Sequence, residues 1–150
     1  MGLIKSDRQL AITRRALGEL HASVERLRAK YKGRALRLFT SGPLGMIEQL
    51  EGEVQEYQWL KRATPAQVMR RYPLVRIDDV GPFLSRLRIA SGLTQEEVAR
   101  RIRCKQPDIA RLEDADYQGH TARTLKAVAE ALGVEIVIGA RRAGGKKWVG

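Results

Sequence analysis

The sequence predicts an all-α fold: an N-terminal helical hairpin, a C-terminal helix-turn-helix, and one short β-strand near the end. Three observations carry this prediction. Apolar residues recur at steps of three and four along most of the chain, the period of a helix with one buried face. Two short helical segments, 95–103 and 106–114, are separated by a tight turn, the spacing of two helices that cross at a steep angle. The aromatic share is only 5%, so the core is aliphatic, and the 43% apolar content is enough to pack it.

The first helix starts near Ser6 or Asp7, where Ser6 with Gln9 makes a capping box. Leu10, Thr13, Leu17, Leu20, Val24, Leu27 and Tyr31 then follow a seam of heptad spacing, on a helix running to about Lys30. Gly33 and Thr40-Ser41-Gly42-Pro43 read as a break. A second helix is expected over about 44–63, with Ile47, Leu50, Val54, Tyr57 and Leu60 on one stripe. The two stripes are expected to pack as an antiparallel hairpin within one chain. Pairing between chains is the other use of the same seam. Thr64-Pro65 is an N-cap and first-turn proline for a short helix to about Arg71. Residues 72–79 read as a connector, with Asp78 or Asp79 as the cap of the next helix.

That helix, 80–91, carries Phe83, Leu84 and Leu87 and stops at Gly92. Thr94 and Glu97 form a capping box for helix 95–103, which buries Val98, Ala99 and Ile102. Helix 106–114 buries Ile109 and Leu112. Thr121 caps helix 122–132, and Gly133 ends it. Val134-Glu135-Ile136-Val137-Ile138 is β-branched and reads as a strand, which needs a sheet edge or a copy in a second chain for its pairing. The reading divides the chain at 1–75, 76–140 and a basic tail, 141–150.

Net charge bounds the partners. The chain carries 28 Lys and Arg against 17 Asp and Glu, a net charge of +11. A protein this basic is expected to meet a polyanion, nucleic acid first and an anionic membrane surface second. Residues 1–75 hold 14 basic against 7 acidic residues, and 76–150 hold 14 against 10, so the C-terminal half is the less basic one. Cys104 is the single cysteine, which excludes an internal disulfide or a thiolate cluster and fits a reducing, cytoplasmic setting.

Enzyme signatures fail. Gly139 to Lys146 has phosphate-loop character, but Gly145 falls where the lysine belongs. His21 and His120 lie far apart, and no nucleophile elbow or paired-carboxylate pattern appears. No catalytic residue, metal or cofactor is expected.

The segment 83–138 resembles the lambda-repressor-like helix-turn-helix family, of Cro/C1 or XRE type. The resemblance rests on Leu87 through Ala99 (LRIASGLTQEEVA), on Gln106, Ile109 and Arg111-Leu112-Glu113, and on Leu125 and Ala129 through Val134. It implies a regulator that binds double-stranded DNA as a homodimer, in a bacterial or phage-type setting close to the nucleoid. Helix 106–114 would enter the major groove, with Gln106, Pro107, Asp108 and Arg111 as base-facing positions. Gln pairs bidentately with adenine and Arg with guanine. Asp108 either accepts from a cytosine amine or pairs with Arg111 one turn on. The resemblance also implies that Gln95 meets a phosphate. Arg103, Lys105, Tyr117 and Arg123 are further phosphate candidates around the turn and the following loop. More loosely, a helical hairpin ahead of such a domain, with Glu53-x-x-x-Tyr57 and Glu113-x-x-x-Tyr117, is similar to antitoxins of the HigA kind. That similarity implies a small toxin protein as a second partner. The alternative is an interaction module whose helix-turn-helix no longer reads DNA.

Overall fold

The computed structural model describes residues 2–141, so residues 142–150 of the basic tail lie outside the described residues. Seven α-helices occur among them, in order: α1 Asp7–Lys30, α2 Gly33–Leu60, α3 Pro65–Arg71, α4 Val80–Ala90, α5 Gln95–Ile102, α6 Gln106–Asp114 and α7 Ala122–Ala131. A 3-10 turn, Ile77–Asp79, lies in the connector before α4.

α1 and α2 pack along their length as the intrachain hairpin. Ser6 caps α1 through its hydroxyl, which accepts from the Gln9 N–H. α2 begins well before the position that the spacing suggests and runs without interruption through Thr40-Ser41-Gly42-Pro43. The two hydroxyl groups turn inward on the helix itself, Thr40 donating to the Leu36 carbonyl at 2.8 Å and Ser41 to the Leu38 carbonyl at 3.0 Å. Pro43 removes one N–H, yet the packing of α2 on α1 outweighs that loss.

α4 to α7 form the second packed unit, in which α5 lies against both α6 and α7. Leu84, Leu87, Val98, Ile109 and Val128 are fully enclosed. This core also takes in Ile4, Tyr57, Leu60, Ala63 and Val68, so the base of the hairpin and α3 share it. A polar seam reinforces the junction. Glu56 accepts from Arg86 at 2.7 Å and from the Tyr72 hydroxyl at 3.3 Å, while Arg86 and Arg71 lie over aromatic faces.

No strand occurs among the described residues. Residues 134–138 come after α7 without a ladder, which corrects the expected β-strand. Val134 and Ile136 are half-buried against the core while Val137 and Ile138 are exposed, so part of the alternation of a one-faced strand is present. A ladder needs a neighbouring strand, and the described residues offer none.

Candidate nucleic-acid interface

The turn between α5 and α6 is three residues long. Arg103 closes α5 in the left-handed region at φ 60°, and the Cys104 N–H returns to the Ala99 carbonyl at 2.9 Å. That reversal brings the first residues of α5 and α6 to the same edge. Thr94 and Glu97 cap α5 reciprocally, the Glu97 carboxylate accepting from the Thr94 N–H at 2.7 Å. Those hydrogen bonds from the Thr94 N–H and hydroxyl hold the Glu97 carboxyl below the usual carboxylate range.

Gln95 and Gln106 each occupy the first position of their helix, and their side chains meet. The Gln106 Nε2 donates to the Gln95 Oε1 at 2.9 Å. Gln95 in turn donates from Nε2 to the Glu113 carboxylate, also at 2.9 Å. Glu113 has no exposed surface and is clasped by Arg88, itself 4% exposed, through Nε at 2.5 Å and Nη2 at 2.8 Å. Arg88 uses its remaining donors on the Leu93 carbonyl at 2.8 Å and the Lys5 carbonyl at 2.7 Å. Lys5 is buried too, its ammonium donating to the Glu113 carbonyl and pairing with Asp116 at 2.8 Å. A continuous relay therefore runs from the N-terminal arm through Arg88, Glu113 and Gln95 to Gln106 at the surface. With every member satisfied, such a network fixes geometry.

The other expected base-facing positions lie on the same stub of helix. Pro107 and Arg111 are exposed and Asp108 is half-buried. Asp108 accepts from Arg111 Nη2 at 2.8 Å and from the Lys105 N–H at 3.1 Å. Arg111 also donates from Nε to the Pro107 carbonyl at 3.3 Å. Of the two readings of Asp108, the ion pair is the one formed, and it aims the guanidinium outward.

The expected phosphate contacts divide. Arg103, Lys105 and Arg123 are exposed, Lys105 immediately before α6 and Arg123 in the first turn of α7. Gln95 is half-buried at the same edge. Tyr117 is different: it is 5% exposed and belongs to the hydrophobic core. Burial pushes its phenol pKa well up. Its backbone and that of Asp116 are left-handed, at φ 57° and 47°, which turns the ring inward after α6. Gly81 makes room for that turn, since a Cβ there would stand 2.0 Å from the Asp116 carbonyl oxygen.

Sequence reasoning missed Lys5, Arg88 and Glu113 as the rear of this site. A signal existed for two of them. Arg88 lies between Leu87 and Ile89, and Glu113 directly follows Leu112, so both interrupt apolar phases where a charge needs a partner. Lys5 carries no such mark.

Among the described residues there is no cluster of His, Cys, Asp or Glu with the makings of a metal site, and no helix long and apolar enough to cross a membrane. Comparisons with curated proteins and with solved structures return no match. Residues 79–142 match the family model described as a helix-turn-helix domain, in keeping with the Cro/C1-type resemblance.

Proposed function

We propose that the protein is a sequence-specific double-stranded DNA-binding regulator, without enzymatic activity, acting as a dimeric repressor. The carrying observation is the Gln95–Gln106 pair, held from behind by Glu113 and Arg88 at the common edge of α5 and α6. Two helix N-termini presented side by side favour phosphate oxygens, and a pre-aimed Gln and Arg suit base edges in the major groove. Gln106 and Arg111 would read bases. Gln95, Arg103, Lys105 and Arg123 would meet phosphates. Pro107 and Asp108 would shape the stub, Asp108 by holding Arg111. Tyr117 has no part in this assignment. A two-fold dimer would read half-sites about 34 Å apart and block a promoter by occupying it.

A second reading, a module that covers a small toxin or another protein, draws on the apolar surface left open on α2. Footprinting on the region upstream of the protein's own reading frame tests the first reading. A protected two-half-site stretch is expected, with Arg111→Ala costing about 1–3 kcal/mol and relaxing preference at one base, and Arg123→Ala weakening all sequences alike. Uniform weak binding to every duplex would overturn it.

A further inference from the structure

The first half of α2 leaves most of one face open, with Phe39 at its edge set against the Tyr31 ring, centroids 4.7 Å apart. At 3.6 residues per turn, Leu38, Phe39, Gly42, Gly45 and Met46 fall within an arc of about 120°. Thr40 and Ile47, which are buried, lie to one side of that arc, so the open face is not the one packed on α1. Leu38 is 70% exposed, Met46 54% and Phe39 47%. Solvent gains nothing from three large apolar side chains in one row, and such a patch marks an interaction surface. Nothing stands within 4 Å of where a Cβ on Gly42 or Gly45 would be. Two glycines inside a helix weaken it, and here they leave a shallow dent beside Leu38.

The charges along one flank of this face say what covers it. Arg37 and Glu48 are both exposed and have no ion-pair partner among the described residues. Some other surface charges pair within one helix turn, as in Arg15–Glu19, Arg100–Glu96 and Lys126–Glu130, and these two do not. Arg37 and Glu48 lie on the same flank and equally far from the point between residues 42 and 43. A second α2 laid antiparallel across that point brings Arg37 against Glu48 of the copy, twice. The same operation sets Phe39 against Met46 and Leu38 over the glycine dent. The face is therefore self-complementary in shape and in charge, the requirement of a two-fold interface between identical chains.

We propose that residues 37–48 of α2 bind a second copy of this chain, antiparallel about a two-fold axis between residues 42 and 43. This rests on the dimeric reading above and names its interface, in place of pairing through residues 134–138.

The test uses the full chain without DNA. In a Cys104→Ser background, Gly42→Cys cross-links to a covalent dimer under mild oxidation, while Ile12→Cys and Val137→Cys do not. Sedimentation equilibrium then tracks a charge swap. Arg37→Glu and Glu48→Arg each weaken self-association roughly tenfold, through two symmetric exposed pairs, and the double variant restores it. Both residues are exposed, and circular dichroism checks that each variant keeps its helices. Cross-linking through position 137 but not 42, a double variant no better than the singles, or a monomer that captures only a different protein would each overturn the proposal. The outcomes separate from DNA reading, because a monomer that still footprints sinks this interface alone, and a position-42 dimer that does not footprint sinks the regulator alone.

Discussion

Glu113→Ala tests the relay behind the recognition edge most sharply. The substitution removes the acceptor of Arg88 Nε at 2.5 Å, of Arg88 Nη2 at 2.8 Å and of Gln95 Nε2 at 2.9 Å. Arg88 keeps the Leu93 and Lys5 carbonyls but loses its countercharge while 4% exposed. Stranding one member of a buried pair costs about 3–5 kcal/mol. In a chain of 150 residues that corresponds to a fall in Tm of roughly 6–20 °C, at about 2–4 °C per kcal/mol. Arg88→Met strands the carboxylate instead, with a loss of about the same size. The double variant Arg88→Met/Glu113→Leu leaves neither charge of the pair, and hydrophobic replacement of such pairs is often neutral. Here it still orphans the Lys5 and Leu93 carbonyls and the Gln95 amide, at about 1 kcal/mol each. The double variant is therefore expected to lose about 3 kcal/mol, far less than the two singles together. Urea denaturation of the wild type, Arg88→Met, Glu113→Leu and the double variant measures the cycle, with Glu113→Ala run alongside and m-values compared. A loss below about 1 kcal/mol for Glu113→Ala, or strict additivity in the double variant, would refute the reasoning.

Single residues supply the other tests. Gly81→Ala places a Cβ 2.0 Å from the Asp116 carbonyl oxygen and is expected to cost at least about 2 kcal/mol by forcing the turn after α6 to move, read as a lower urea midpoint. The Ser85 hydroxyl is fully buried with no hydrogen-bond partner, so Ser85→Ala should raise stability by about 1 kcal/mol, and a comparable loss would mean that the hydroxyl is satisfied. Burial and the hydrogen bond to Asp7 push the Tyr57 phenol up to about 12. Its folded value lies above its unfolded value of 10.0, so its contribution is complete below pH 10 and fades as pH rises through about 12. Tyr57→Phe should flatten that alkaline loss in denaturation curves taken between about pH 9 and about pH 12. The Asp7 carboxyl is held low by hydrogen bonds from Tyr57 and Lys61, so its contribution is present above its unfolded value of 3.8 and is lost as pH falls below it.

Much of the C-terminal half was legible because local and global signals agree there. Thr94 with Glu97, Thr121, Gly92 and Gly133 mark helix ends that the structure places within a residue or two of expectation. The apolar spacing of Val98, Ile109, Leu112 and Val128 names the core directly. The hairpin was legible as a seam but not in its bounds. Thr40-Ser41-Gly42-Pro43 carries breaker chemistry, and only long-range packing on α1 keeps it helical, which no local window contains. The strand expectation failed for the reverse reason. Residues 134–138 have the composition of a strand, and a ladder depends on a neighbour that the described residues do not supply.

At the candidate site, exposure of Gln106 and Arg111 came from helical phase. The inward turn of Tyr117 did not, because it depends on two successive left-handed residues, neither of them glycine. The buried Lys5 was equally hidden, since its partners Glu113 and Asp116 lie at the far end of the sequence.

The stub beginning at Gln106 is proposed to read base edges. The most direct measurement is a quantitative footprint on the upstream region with the wild-type chain and with Gln106→Ala, at matched salt and with equal Tm confirmed. A discrete protected site is expected, whose preference over random duplex falls by about 1–3 kcal/mol in the variant, while affinity for random duplex stays the same. A variant with an unchanged footprint and unchanged preference would contradict it.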